Sequence, residues 1–266
     1  MRLKAGCELL MSATTPVPLV AMLRPRSGDA QWMVAERFEF EPFVGAVEYV
    51  DTFGNLCQRL TMPAGQFRIR TEAELEVADA ILVGHGAPPT PPERLPSDAL
   101  QYLLPSRYCP SDTFEKQAAD IVVGCTPGYD QADAIRGWIS ANIEYRYGVS
   151  NGSTSASDTI RDGAGVCRDF AHIGLSLCRA LRIPARMVVG YLHLLDPMDL
   201  HAWFEAFIDG RWFTFDATQS EPRGGRIVIA YGRDAADVAL VTNLADLKTD
   251  SMKAWVEQVT PQTVAR

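Results

Sequence analysis

The chain has 266 residues, 47% of them hydrophobic and 22% charged, the balance of a globular protein with room for one large domain or two modest ones. Its net charge of −8, without any basic block, argues against nucleic acid, whose phosphates demand clustered Lys and Arg, and against anionic membrane surfaces. No apolar run approaches the ~18 residues of a membrane span.

At the N-terminus, Leu3-Lys4-Ala5-Gly6-Cys7 only faintly imitates a lipoprotein cleavage box, because Lys4 stands where an apolar residue belongs. The expectation is no signal peptide, no lipid anchor and a cytoplasmic protein. The six cysteines (7, 57, 109, 125, 167 and 178) are too dispersed for a disulfide scaffold and fit a reducing compartment. Neither Cys-x-x-Cys nor His-Glu-x-x-His occurs, so no zinc framework is visible, and the thiol chemistry read below needs no metal or organic cofactor.

Residues 1–83 read as a small antiparallel β domain. Trp32-Met33-Val34, Phe38-Glu39-Phe40, Val47-Glu48-Tyr49-Val50 and Phe67-Arg68-Ile69 concentrate β-formers, and Asp51-Thr52-Phe53-Gly54-Asn55 is a turn. Residues 84–97 are a linker, with four prolines between Pro88 and Pro92 that can continue neither a helix nor a central strand. His85, between two glycines there, reads as a solvated loop residue.

Residues 98–266 change texture and form the expected catalytic segment. Phe114 to Val123 and Gln131 to Ile143 have helical spacing, with Ile135, Trp138, Ile139 and Ile143 on one face. A small-residue loop runs from Gly148 to Ser157. A third helix starts near Cys167, carries one apolar stripe (Phe170, Ile173, Gly174, Leu177, Cys178, Leu181) and stops before Pro184. Strands follow at 186–195, 201–208, 211–216 and 226–231. Helices first and an antiparallel sheet afterwards is an α+β layout.

Cys167 follows Gly163-Ala164-Gly165-Val166 and opens that helix. A thiol there meets the positive end of the helix dipole and unpaired backbone N–H groups, which favour thiolate and can hold an oxyanion. From position alone, a buried structural cysteine is an equal alternative. Asp169 in the same turn is either a neighbour that raises the thiol pKa or a solvated helix-end charge.

Asp209-Gly210 is a favoured two-residue hairpin turn. With that loop, Ile208 faces Arg211 and Trp203 faces Asp216, so His201 and Asp216 are diagonal neighbours on one face, their Cβ atoms roughly 7 Å apart or less. A carboxylate beside an imidazole fixes the ring tautomer and orients it as a base. The bland alternative is two polar residues on a solvated face, which the surrounding Ala202, Trp203, Phe204 and Phe215 argue against. His172 is expected to pack structurally, His193 to lie at the surface, Cys178 in the core, and Arg182 and Arg186 in solvent. Trp138, Tyr145 and Tyr147 are expected in aromatic packing, with an oxyanion or acyl-site role as the alternative.

Gly165-Val166-Cys167-Arg168-Asp169-Phe170-Ala171-His172, Ile183-Pro184-Ala185-Arg186, Gly190-Tyr191, His201-Ala202-Trp203-Phe204-Glu205 and Trp212-Phe213-Thr214-Phe215-Asp216 together resemble the core of the transglutaminase-like superfamily, in particular its bacterial members described as cysteine proteases. The resemblance runs from about Ile135 to Asp216. Residues 51–55 are similar to the preceding domain of those proteins, and residues 231–238 to their C-terminal extension. It implies a papain-like fold with a Cys–His–Asp triad: Cys167 as nucleophile, His201 as general base and acid, Asp216 as the orienting carboxylate. Val166 and Arg168 stand where crosslinking transglutaminases have Gln and Trp, which argues against crosslinking, and Ala217 stands where Pro commonly follows the aspartate. The expected function is hydrolysis of an amide bond in a peptide, protein or small amide. The alternatives are acyl transfer to an amine, and a binding protein that retains the core.

Overall fold

The computed structural model describes residues 1–28 and 31–259. Its N-terminal region is built from strands β1 (Arg2–Ala13), β2 (Val17–Ala21), β3 (Gln31–Glu41), β4 (Val47–Val50), β5 (Leu56–Met62) and β6 (Gly65–Val77). In β1 alternation puts Leu3, Ala5, Cys7, Leu9 and Met11 in the core, and β6 answers with Phe67, Ile69, Ala73 and Leu75. The Asp51–Asn55 turn joins β4 and β5, with the Asp51 carboxylate accepting from the Phe53 and Asn55 amides.

Helices α1 (Glu115–Ile121), α2 (Tyr129–Asn142), α3 (Ala156–Asp162) and α4 (Cys167–Ala180) follow, with the short strands β7 (Glu144–Tyr145) and β8 (Ala164–Gly165) between them. Helix α3 lies partly in the segment read as loop. Its Ser155 cap, which accepts from the Asp158 amide while the Asp158 carboxylate accepts from the Ser155 amide, is a start signal legible in the sequence. The chain then forms β9 (Ala185–Leu192), β10 (His201–Ile208), β11 (Arg211–Phe215), β12 (Arg226–Gly232), β13 (Val241–Asn243) and β14 (Lys248–Gln258).

The central antiparallel sheet has the order β11-β10-β9-β12. Helix α4 lies across it so closely that a Cβ on Gly174 would stand 2.4 Å from the Phe204 ring. Every residue of β10 is buried because the other face of the sheet is covered too. There Gln31 exchanges hydrogen bonds with the backbone of Val228, and Asn55 with that of Tyr231. The architecture is α+β, as expected.

Two expectations need correction. Helix α4 is not a one-stripe helix: every residue from Asp169 to Arg179 is buried. Its polar members are enclosed because they find partners. The Arg179 guanidinium donates to the carbonyls of Leu104, Ala185 and Arg233, and the Ser176 hydroxyl to that of His172. The second correction concerns the segment 98–266, which does not stay with the central sheet. β14 pairs with β1 and β13 with β2, giving N-terminal sheets of order β14-β1-β6-β3 and β13-β2-β5-β4. The final strands thereby cover edges that would otherwise present unpaired backbone groups. The proline-rich linker runs along the β10–β11 hairpin, with the Asp209 amide on the Pro88 carbonyl and the Gly210 amide on the Thr90 hydroxyl.

Candidate active site

The β10–β11 hairpin has the register that the Asp209-Gly210 turn predicts: Ile208 faces Arg211, Glu205 faces Thr214 and Phe204 faces Phe215. Asp209 and Gly210 have φ of 47° and 75°, as a tight hairpin turn of this type requires. One step beyond the last pair, His201 Nε2 meets Asp216 Oδ2 at 2.7 Å, and both side chains are buried. Asp216 Oδ1 accepts from the Thr218 amide at 3.1 Å and the Thr218 hydroxyl at 2.7 Å.

Cys167 is the first residue of α4 and is half-buried. The amides of Asp169 and Phe170 both donate to the Val166 carbonyl, which leaves those of Cys167 and Arg168 ahead of the helix's own hydrogen bonds. Asp169 is neither a solvated end charge nor a partner of the thiol. Fully buried, its carboxylate accepts from the Val166 amide at 3.0 Å and pairs with Arg168 at 3.0 Å, fixing the turn that carries the cysteine. The Cys167 thiol lies near enough to His201 to favour the protonated ring. The three residues 167, 201 and 216 therefore converge.

Burial alone would lower the proton affinity of the His201 ring. The hydrogen bond and charge of Asp216 outweigh it, with a further contribution from Cys167, and raise the pKa to about 9. Burial pushes the Asp216 carboxyl upward, but the hydrogen bond and charge of His201, the charge of Arg226 and the Thr218 hydroxyl hold it well below the usual carboxylate range. Cys109 and Cys178 lie in the core, where burial pushes both thiols up to about 12.

Trp138 packs against the core, and Tyr145 makes the expected aromatic contacts, with Tyr147 at 5.5 Å and the buried Phe170 ring at 5.7 Å, but Tyr145 and Tyr147 are not core residues. The parallel pairing of β7 with β8 places Tyr145 beside Gly165, with the Arg146 amide on the Gly165 carbonyl at 2.9 Å. Both tyrosines are exposed and line a cleft of about 170 Å³ with Leu200, His201, Thr218 and Gln219. Partial burial and the neighbouring Cys167 raise the Tyr145 phenol. A larger hollow of about 360 Å³ lies between Trp203, Trp212 and the N-terminal residues Ile81 and Leu82; Cys167, His201 and Asp216 do not line it, but Arg226 does.

His172 packs structurally, as expected. Its Nε2 accepts from the Ala235 amide at 3.2 Å, its ring stacks on Tyr108, and burial lowers its pKa to about 3. His193 is half-buried just after β9, Cys178 is in the core, and His85 is exposed beside Asp130. Arg182 is exposed and pairs with Glu115, but Arg186 is not in solvent: it bonds Glu205 at 2.8 Å and lies between the Trp212 and Tyr231 rings. The sequence reading missed Arg226. Its Nη2 stands 2.9 Å from Asp216 Oδ2, and nothing in its neighbourhood along the chain points there.

The family model of the transglutaminase-like superfamily matches residues 115–217, a span that contains Cys167, His201 and Asp216 and ends before Thr218 and Arg226. The crystal structure of a "Putative Cysteine Protease from Cytophaga hutchinsonii" superposes with a TM-score of 0.92 at 34% identity, over 98% of this chain and 92% of that one. The chain belongs to the transglutaminase-like superfamily. The Cytophaga hutchinsonii likeness extends beyond residues 115–217 and includes the N-terminal sheets and the strands that return to them. An uncharacterized protein of Mycobacterium leprae is 27% identical over 238 residues, covering 82% of this chain and 83% of its own length. One of Mycobacterium tuberculosis is 32% identical over 115 residues, 38% of this chain and 37% of its own. Among the described residues no helix is long and apolar enough to cross a membrane.

Proposed function

We propose that this protein hydrolyses amide bonds through a thioester on Cys167, with His201 as proton carrier and Asp216 as its orienting carboxylate. One observation carries the reading: a buried imidazole meets a carboxylate at 2.7 Å and lies near a thiol at the start of a helix, beside an open cleft. The Cys167 proton passes to His201, and the sulfur attacks the carbonyl carbon. The oxyanion is held by the amides at the start of α4, with the Tyr145 hydroxyl beside them. As the C–N bond breaks, His201 returns the proton to the leaving amine. Water then attacks the thioester while His201 takes its proton. The carboxylic acid departs and the thiol is restored. No step calls on a metal or an organic cofactor.

The proposed substrate is a peptide, protein or small amide, in keeping with the name given to the Cytophaga hutchinsonii protein. The proposed compartment is the cytoplasm, in keeping with six free cysteines.

Iodoacetamide at near-neutral pH tests the nucleophile. The expected result is one adduct, on Cys167, formed faster than any on the half-buried Cys125 and lost in Cys167→Ala. First labelling of Cys109 or Cys178 overturns the assignment. Mass spectrometry of a glutamine peptide incubated with a primary amine then separates outcomes: deamidation or cleavage supports hydrolysis, and amide exchange establishes acyl transfer instead. No acylation by any electrophile leaves the binding protein.

A further inference from the structure

Arg226 enters the site from β12, the strand farthest from β11 in the central sheet. Its guanidinium is buried, lies 4.8 Å from the centre of the Trp203 ring, and is anchored by Nε on the Arg223 carbonyl at 3.0 Å. Nη2 stands 2.9 Å from Asp216 Oδ2, the same oxygen that meets His201 Nε2 at 2.7 Å. Neither Nη1 nor Nη2 makes an aligned hydrogen bond among the described residues. The Arg226–Asp216 contact therefore acts through charge. The position of the carboxylate is set elsewhere, by the two Thr218 bonds to Oδ1.

One buried carboxylate oxygen thus serves two cationic groups. Asp216 by itself would hold the imidazolium tightly. A fixed positive charge on the far side of the carboxylate cancels part of that attraction and repels the imidazolium directly. The other ionisable groups around the ring are Cys167 at the start of α4 and, on the cleft walls, Tyr145, Tyr147, Asp196 and Asp199. Around the guanidinium, Asp133 and Arg136 of α2 pair with each other at 2.7 Å and share a hollow with Glu221, and on the other side Arg186 and Glu205 pair at 2.7 Å in the larger hollow that Arg226 also lines. Arg226 is the cation in direct contact with the Asp216 carboxylate.

We propose that Arg226 is a positioning residue for the proton transfer step: its charge, held against Asp216, limits how tightly the Asp216–His201 pair keeps the imidazole proton. The inference rests on the reading of His201 as proton carrier. A ring that binds its proton too firmly is a poor acid toward the leaving amine, and acid–base efficiency is greatest when the catalytic pKa lies near the working pH.

The test is an NMR titration of the imidazole signals, four histidines in all, in a Cys167→Ala background where the thiol cannot share the proton. Arg226→Met is expected to move the His201 midpoint upward by about one pH unit. Arg226→Lys, which keeps the charge, is expected to leave it within about 0.3 unit of the parent. An unchanged or lowered midpoint in Arg226→Met overturns the proposal, because a residue that merely braces Asp216 would, when lost, free the carboxylate and weaken its hold on the ring. If Arg226→Met does not fold, Arg226→Gln is read by the same criteria. The titration requires no turnover. An upward shift in a protein that hydrolyses nothing removes the hydrolase reading and leaves the charge effect standing, whereas turnover without the shift removes only the charge effect.

Discussion

Helix α4 contributes to two buried histidine environments that differ in almost every consequence. At its first turn, Cys167 meets a ring bonded to a carboxylate; within the helix, His172 accepts a backbone amide and stacks on Tyr108. The two rings are similarly enclosed, 3% and 0% exposed. Yet one is raised to about 9 and the other lowered to about 3. Burial alone does not make a site. In both places desolvation opposes the charged form, and only the partner decides the outcome: a carboxylate overrules it, a backbone amide cannot. The ring with the carboxylate is also the one beside the cleft.

The sharpest way to break this comparison is to remove each ring. His201→Ala is expected to lower kcat/KM by about 10³-fold or more, since in the proposed mechanism both proton transfers pass through it. His172→Gln is expected to leave the kcat of the folded protein within about threefold of the parent. Steady-state kinetics on a peptide amide reads both, and a large kcat loss in His172→Gln would erase the distinction.

Arg179 tests whether the interior of α4 is structural in the same sense. It sits in the core with its charge spread over carbonyls from three segments of the chain. Arg179→Met leaves buried acceptors unpaired and is expected to cost about 3 kcal/mol in urea unfolding, with labelling of Cys167 unchanged in the folded protein.

The smallest effect sharpens the contrast through pH. His201 has a folded pKa above its unfolded value of 6.5, so its contribution is complete below 6.5 and is lost as pH rises through about 9. His172 has a folded pKa below 6.5, so the unfolded chain takes up its proton first. Its contribution is complete above 6.5 and is lost as pH falls toward 3. Stability is expected to fall by about 1 kcal/mol per pH unit on the acid side from His172 alone, a slope that His172→Phe removes and Asp216→Asn does not. Urea midpoints between pH 4 and 9 measure it.

Much of the site was legible because local chemistry specifies it. A two-residue turn sets the hairpin register, and period two then puts His201 and Asp216 on one face. Glycines before a helical pattern mark Cys167 as a helix opener. Some legible signals were passed over: the alternation of Leu3, Ala5, Cys7, Leu9 and Met11 in β1, and the Ser155–Asp158 cap of α3. Other features had no local signal. Tyr145 reaches the cleft because β7 pairs with β8 nineteen or more residues away, and Arg186 is enclosed by rings from β11 and β12.

By itself, then, the chain order determined the fold class, the family likeness and the relative placement of His201 and Asp216, because each depends on contacts between residues close in sequence or on motifs read residue by residue. Tertiary structure decided the rest. It enclosed the polar face of α4, returned β14 to pair with β1, and set Arg226 against Asp216. These outcomes depend on which distant surfaces exclude water together, and no period or propensity along the chain encodes that choice.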